Sequence, residues 1–116
     1  MRKYVIFGKY SSDFYTAMLN KPKNRLEFVK PILNTLNIEL VEFLLTSGSN
    51  SNFVCIVKSE NDENIEALMS IVFASGNFSN YSWSRAFEAD EQENIFKLGK
   101  EKMKDYVSAM QVAGTD

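Results

Sequence analysis

Segments with the character of strands and helices alternate along this 116-residue chain in an order that repeats once. Aromatic and β-branched side chains predict strands over residues 3–10, 38–46, 53–58 and 78–87. Apolar residues at helical spacing lie between the first and second strands, and again between the third and fourth. The order strand–helix–strand therefore occurs twice, which restricts the chain to a few topologies.

Proline, glycine and polar residues predict where the helices begin and end. The first helical region is broken near Pro22, which indicates one interrupted helix or two short ones, and Pro31 predicts a kink farther on. A polar loop over residues 47–52 joins the second and third strands as a hairpin. The second helix follows the polar residues 59–64 and ends at Gly76, where a left-handed conformation is favoured.

A final helix is predicted after the fourth strand, over about residues 90–112. Asp90 suits its N-cap, and Glu93 stands at the third helical position, where it can complete a capping box. Apolar residues recur along the same segment and give the helix one apolar face. That face can cover the core of its own subunit or pack on a partner.

The repeated order is typical of the split β-α-β, or ferredoxin-like, arrangement. We therefore predict the α+β class: a βαββαβ sandwich with an extra C-terminal helix. A single domain is expected over residues 1–116, with its core at about residues 3–88. The sheet should be antiparallel, with the first and third strands at its centre and both helical regions on one face.

The strands are apolar on both alternating sides, which a sheet with one solvated face does not require. In the first strand, Tyr4 and Ile6 alternate with Val5 and Phe7. An uncovered face of this kind would be a large apolar patch, which monomers rarely expose. We expect a second copy of the chain to cover it in a two-fold homodimer, with the terminal helix as the alternative cover.

The chain contains no histidine and one cysteine, Cys55. This composition excludes histidine-dependent catalysis, histidine-ligated haem, an intramolecular disulfide and a four-cysteine zinc site, and we expect no cofactor and no metal. Cys55 lies in an apolar strand, so we interpret it as a buried hydrophobic residue rather than a nucleophile. The single thiol and the absence of a signal-peptide core predict a cytoplasmic protein, and no apolar run has the length of a membrane helix.

Charge is unevenly distributed, although the formal net charge is only −2. Residues 1–36 carry seven basic and two acidic side chains, whereas residues 37–94 carry two basic and ten acidic ones. The overall balance predicts no bulk attraction to nucleic acid or to an anionic membrane. Four basic residues surround the first helical region, where they indicate either a solvated helix face, which is favoured, or a phosphate-binding patch: Lys21, Lys23, Arg25 and Lys30.

Five short fragments follow the order and spacing of a known family. They are Tyr4-Val5-Ile6-Phe7-Gly8-Lys9-Tyr10, Arg25-Leu26-Glu27, Leu44-Leu45-Thr46, Ala74-Ser75-Gly76-Asn77 and Ser84-Arg85-Ala86-Phe87. Together they resemble the GYD-domain family over residues 3–97. The resemblance implies a ferredoxin-like subunit of the dimeric α/β-barrel type, in proteins of largely uncharacterised function.

The name-giving motif of that family is altered in this chain. The family carries Gly-x-Tyr-Asp between strands two and three, where this chain has Gly48-Ser49-Asn50-Ser51-Asn52, with one inserted residue. Ser51 stands at the approximate place of the tyrosine, and Asn52 at that of the aspartate. A role that needs the phenol or the carboxylate is therefore not implied here.

Binding or sensing of a small molecule is the function that we expect, in a pocket enclosed by two facing sheets. Trp83 and its aromatic neighbours on the fourth strand are favoured as plain core or interface packing. Arg85 needs a partner if it is buried, and we expect Glu39, Glu42 or an anionic ligand in that place. The candidate ligand-binding residues are Lys9, Tyr10, Asn52, Trp83, Ser84 and Arg85.

Two other functions are open alternatives. Other dimeric α/β barrels include small oxygenases, isomerases and decarboxylases, so the first alternative is a cofactor-independent enzyme. Without histidine, its acid–base candidates are Lys9, Tyr4, Tyr10 and Glu42, and no spacing singles out a catalytic pair. The second alternative is an assembly module that uses the terminal helix to pack on another subunit.

Overall fold

Four strands form one antiparallel sheet in the computed structural model, which describes residues 1–48 and 50–114. They are β1 (Arg2–Tyr10), β2 (Glu39–Leu45), β3 (Phe53–Ser59) and β4 (Phe78–Ala86). The sheet order is β2-β3-β1-β4, so the first and third strands lie at the centre, as predicted. The molecule is α+β, and this arrangement is compatible with a ferredoxin-like fold.

Three helices connect the strands: α1 (Ser12–Asn20) and α2 (Arg25–Thr35) follow β1, and α3 (Asp62–Ala74) follows β3. Side-chain oxygens of Ser11, Asn24 and Asn61 accept backbone N–H groups at the three N-termini. The predicted break near Pro22 is confirmed, because α1 and α2 are separate helices. Pro31 lies inside α2.

A left-handed residue that the sequence reading did not single out ends α2. Asn37 has a φ of 55°, and its N–H donates to the carbonyl of Asn34 while the N–H of Ile38 donates to that of Leu33. Ile38 and Leu33 are both buried in the core, which completes a Schellman motif. At the end of α3 the predicted left-handed glycine is confirmed, since Gly76 has a φ of 79°.

One face of the sheet meets the helices, and we call it the Tyr4 face after the first of its buried residues. Its core residues include Tyr4, Ile6 and Tyr10 of β1, Phe53, Cys55 and Val57 of β3, and Phe14, Leu33, Ile65 and Leu68 of the helices. Both helical regions therefore pack on one face, as predicted. Gly8 is required on this face, because a Cβ there would lie 2.3 Å from the Cβ of Tyr81.

The opposite face, which we call the Val5 face, has an apolar centre and polar margins. Cross-strand register places Val5 beside Ile56, and Val54 between Phe7 and Leu44. Phe7 is 39% exposed and Leu44 is 48% exposed. The margins of the face carry Lys3, Lys9, Lys58, Glu39, Glu42, Ser82 and Ser84.

The chain divides into two compact units, residues 1–86 and the residues from 87 onward. The second unit contains α4 (Ala89–Lys102), a 3₁₀ turn (Met103–Asp105) and α5 (Ala109–Val112). The expectation of one continuous helix over residues 90–112 was therefore wrong. Tyr106 is extended and Ser108 caps a new helix, in a stretch whose residues have low helix propensity.

The start of α4 also differs from the prediction, by two residues. The N-cap is Glu88 rather than Asp90, and the carboxylate of Glu91 accepts the backbone N–H of Glu88 at 2.9 Å. A capping box is present, but it uses a Glu–Glu pair that lies two residues earlier in the chain than the Asp–Glu pair we expected.

Candidate functional site

The structure distributes the six candidate ligand-binding residues over several places: Tyr10, Trp83 and Arg85 on the Tyr4 face, Lys9 and Ser84 on the Val5 face, and Asn52 in the turn before β3. Tyr10 is in contact with Asn52, and Trp83 and Arg85 are alternate residues of β4. Arg85 stands opposite Tyr4, six residues and about 20 Å along β1 from Tyr10. One chain therefore does not bring the six residues into a single pocket.

Asn52 holds the end of β1 against the hairpin. Its Oδ1 accepts the backbone N–H of Tyr10 at 2.9 Å, and its own N–H donates to the carbonyl of Gly8 at 2.9 Å. Its carbonyl accepts the N–H of Thr46 at 3.0 Å. The buried side chain therefore has a structural role. Ser51, the other altered position of the motif, lies within hydrogen-bond distance of the carbonyl of Gly8, with its hydroxyl oxygen 3.2 Å away. Ser49, in the same stretch, lies outside the described residues.

Trp83 packs on the core of its own chain. Its ring meets that of Tyr4 edge to face, with the ring centroids 5.4 Å apart. Its indole N–H donates to the carboxylate of Glu66 at 2.7 Å. Both ends of the side chain are thus held by residues of the same unit, which agrees with the packing role favoured for it.

A polar cluster lies at the end of the Tyr4 face where β1 begins, and we call this the Tyr4 end of the face. The hydroxyl of Tyr4 donates to the carboxylate of Asp62, and Nη1 of Arg2 lies 3.4 Å from Oδ1 of Asp62. The Tyr4 hydrogen bond is the main cause that lowers the pKa of Asp62, and the charges of Arg2 and Arg85 add to the effect. Asp62 therefore stays ionised between positive groups.

The expected pairing of Arg85 with Glu39 or Glu42 was wrong within one chain. Arg85 lies on β4 and the two glutamates on β2, and these strands are the opposite edges of the sheet. The glutamates also lie on the other face. The charge of Arg85 acts on the carboxylate of Asp62, and the sequence alone could not identify this pair because it depends on how α3 packs on the sheet.

Tyr10 lies at the other end of the Tyr4 face, in a cluster of rings. Its ring stacks on Phe14 and Phe78, with centroid distances of 3.7 Å and 4.3 Å. Burial raises the pKa of its hydroxyl to about 12, while the positive charge of Arg25 acts in the opposite direction. The guanidinium of Arg25 therefore lies within electrostatic reach of this phenol.

Cys55 is buried beside this cluster, as the sequence predicted. Burial raises the pKa of its thiol to about 12, so the thiol is protonated at neutral pH and is a poor nucleophile. Among the described residues, no group of three histidine, cysteine, aspartate or glutamate side chains is arranged to hold a metal ion.

A cavity of about 90 Å³ lies between α2, α3 and the Tyr10 end of the sheet. Its walls are almost entirely apolar and include Val29, Phe43, Cys55 and Val72. An empty cavity of this size costs about 2 kcal/mol of stability, because its lining atoms lack partners. Arg25 supplies charge at its lining.

A larger, open depression of about 440 Å³ adjoins this cavity at the turn between α1 and α2. Arg25 and Phe28 line both spaces. The depression also includes Lys21 and Lys23. The sequence had indicated these basic residues as a group, but it contained no signal for the apolar cavity, which arises where two helices and the sheet fail to fill the space between them.

Two of the acid–base candidates of the enzyme alternative, Tyr4 and Tyr10, are poorly placed to lose a proton. The pKa of Tyr4 is raised by desolvation and by its bond to Asp62, and that of Tyr10 is raised to about 12 by desolvation. Both hydroxyls are therefore protonated at neutral pH and can act as hydrogen-bond donors. Glu42 lies on the Val5 face, away from both.

Comparison of the chain with protein-family models and with curated proteins found no match. Among the described helices, none combines the length and the apolar character needed to cross a membrane.

Proposed function

We propose that this chain is the subunit of a homodimer of the dimeric α/β-barrel type, with a ferredoxin-like fold related to the GYD-domain proteins, and that it binds a small organic molecule. The observation that carries the dimer is the apolar centre of the Val5 face. Five apolar side chains adjoin one another there across three strands: Val5, Phe7, Leu44, Val54 and Ile56.

The partner that suits this face is a second copy of the chain. A two-fold interface brings the same surface together with itself, so the surface must complement itself in charge. The Val5 face carries acidic side chains on β2, Glu39 and Glu42, and basic ones on β1 and β3, Lys3, Lys9 and Lys58. A rotated copy can oppose unlike charges around the apolar centre.

The relation to the GYD-domain proteins is supported by the role of Asn52. The side-chain oxygen of Asn52 accepts the N–H of Tyr10 and so joins β1 to the hairpin. An aspartate at this position would offer the same acceptor. The asparagine can therefore fill this structural role without the carboxylate. The buried thiol of Cys55 is compatible with the cytoplasmic location that we propose.

Binding, rather than acid–base catalysis, is supported by the groups on the Tyr4 face. The two buried tyrosines of β1, Tyr4 and Tyr10, retain their protons, and an apolar cavity with a cationic lining residue lies beside Tyr10. Such a combination of apolar walls and a few polar groups is the usual composition of a ligand site.

Light scattering at micromolar concentration tests the dimer, using the full chain and the variant Phe7→Lys. We expect the wild type to have the mass of two chains and Phe7→Lys to shift to that of one chain, because it places a charge in the apolar centre. Leu19→Lys is the matched control, since it makes the same kind of change at an 81% exposed residue of α1. A monomeric wild type, or a Phe7→Lys variant that stays dimeric, would contradict the proposal.

A further inference from the structure

We infer that the cavity beside Tyr10 and the basic depression next to it form one binding site for a short-chain carboxylate, with its tail in the cavity and its carboxylate at Arg25. The inference gives a site and a chemical class to the small-molecule binding proposed above, and it rests on that part of the proposed function. It does not depend on the dimer, because the site lies on the Tyr4 side of a single chain.

The inner part of the site suits an alkyl tail. The cavity has a volume of about 90 Å³, and its walls are aliphatic, aromatic or sulfur-containing side chains except at Arg25 and the tyrosines. An apolar cavity does not hold water well, because water needs polar partners there. The volume corresponds to about three waters, and it is smaller than the ~150 Å³ cavity that accepts benzene, so a tail of a few carbons fits better than a ring.

The outer part of the site suits an anion. Lys21, Lys23 and Arg25 line the open depression, and Arg25 also lines the cavity. Within residues 1–48 and 50–114, none of the three forms an ion pair with a carboxylate. Three cations without acidic partners attract an anion, and the guanidinium of Arg25 can bind a carboxylate through two parallel hydrogen bonds.

Arg25 connects the two parts. It is half-buried at the first position of α2, and its charge reaches the hydroxyl of Tyr10, which lines the cavity. A guanidinium and a protonated phenol thus stand near the place where the tail of a ligand would end and its head would begin. Phe28, which also lines both spaces, can cover the tail.

Isothermal titration calorimetry of the full chain with hexanoate tests the site, with acetate and 1-hexanol as the two comparison probes. Acetate has the head without the tail, and 1-hexanol has the tail without the charge. We expect hexanoate to bind and each comparison probe to bind at least about tenfold more weakly, since each loses one half of the interactions. Equal affinity for hexanoate and 1-hexanol, or no heat with hexanoate at millimolar concentration, would overturn the inference.

Two variants locate the binding. Arg25→Gln removes the charge, and we expect it to weaken hexanoate binding by about tenfold while leaving 1-hexanol unchanged. Lys30→Gln is the matched control, because it removes the same charge from an exposed position of α2 that lines neither space. Val29→Phe fills the cavity from α2 without changing charge, and we expect it to abolish tail-dependent binding. Circular dichroism establishes that each variant is folded.

The outcomes separate this site from the dimer. If hexanoate binds Phe7→Lys as it binds the wild type, the site belongs to the single chain, as inferred. If binding is lost with the dimer but persists in Arg25→Gln and Val29→Phe, the ligand sits between subunits and the inference is wrong, although the proposed function would stand.

Discussion

Tyr4 and Tyr10 lie on the same face of the same strand, yet their surroundings differ in kind. Tyr4 is completely buried, and its hydroxyl is bound by Asp62. Tyr10 is buried in a stack of rings and lines the apolar cavity. No described residue forms a hydrogen bond with its hydroxyl. One end of the Tyr4 face is thus closed by a polar network, and the other is left incomplete.

The arginines at the two ends differ in the same way. Arg2 and Arg85 act on the ionised carboxylate of Asp62, whereas Arg25 has no carboxylate partner among the described residues. Burying charge without compensation is costly, so an arginine that is matched by its own chain serves structure. A half-buried arginine next to an unfilled cavity is better suited to a ligand. The contrast therefore favours a structural role for the Tyr4 end and agrees with the binding proposed at the Tyr10 end.

The largest loss of stability is expected from removing the ring of Tyr10, beside the cavity. Tyr10→Ala deletes the side chain that stacks on Phe14 and Phe78 and enlarges the existing cavity, so we expect a loss of about 3–5 kcal/mol in the free energy of unfolding. Urea unfolding followed by circular dichroism measures it. Tyr15→Ala is the control, with a much smaller loss because Tyr15 is 45% exposed. Equal losses for the two variants would contradict the account of this core.

A single added methylene should change the free energy of unfolding in opposite directions at the Tyr4 end and at the Tyr10 end of the face. Val57→Ile places it opposite Tyr4, where Val57 is completely buried, and we expect overpacking to cost about 1–3 kcal/mol. Val72→Ile places it at the wall of the cavity, and we expect a gain of about 1 kcal/mol from the newly buried group. The same urea experiment compares them. A loss of stability in both variants would show that the cavity cannot accept a further group.

The smallest effect on stability is expected from removing the hydroxyl of Tyr4 or of Tyr10, and for Tyr4 the effect depends on pH. Because the pKa of Asp62 is lowered by its bond from Tyr4, the bond contributes stability above the ordinary aspartate pKa of about 3.9 and loses it as pH falls through the lowered value. We expect Tyr4→Phe to lower the urea midpoint at pH 7, and the difference from wild type to shrink below pH 4. Tyr10→Phe, which removes no bond to a carboxylate, should show no such change. A difference for Tyr4→Phe that is independent of pH would remove Asp62 from the explanation.

Some features of the fold could be predicted from the sequence because they depend on residues that are neighbours along the chain. Alternating apolar residues and helical spacing located the four strands and the first three helices, and Gly76 marked the end of α3 through its backbone freedom. The final helix was misread for the same reason: an apolar stripe continues past Asp105, while the backbone breaks at Tyr106. Spacing alone does not weigh the low propensity of residues 105–108 against the stripe.

The sequence by itself determined the class of the fold, the burial of Cys55 and the presence of a basic group around α2. Only the tertiary structure decided which charges meet. Tyr4 and Asp62, which form a hydrogen bond, are 58 positions apart in sequence. Packing also places the side chain of Asn52 against the backbone of β1 and Arg25 beside a cavity. The physical reason is that local pattern specifies which side of an element is apolar, whereas partners and unfilled space depend on how separate elements pack together.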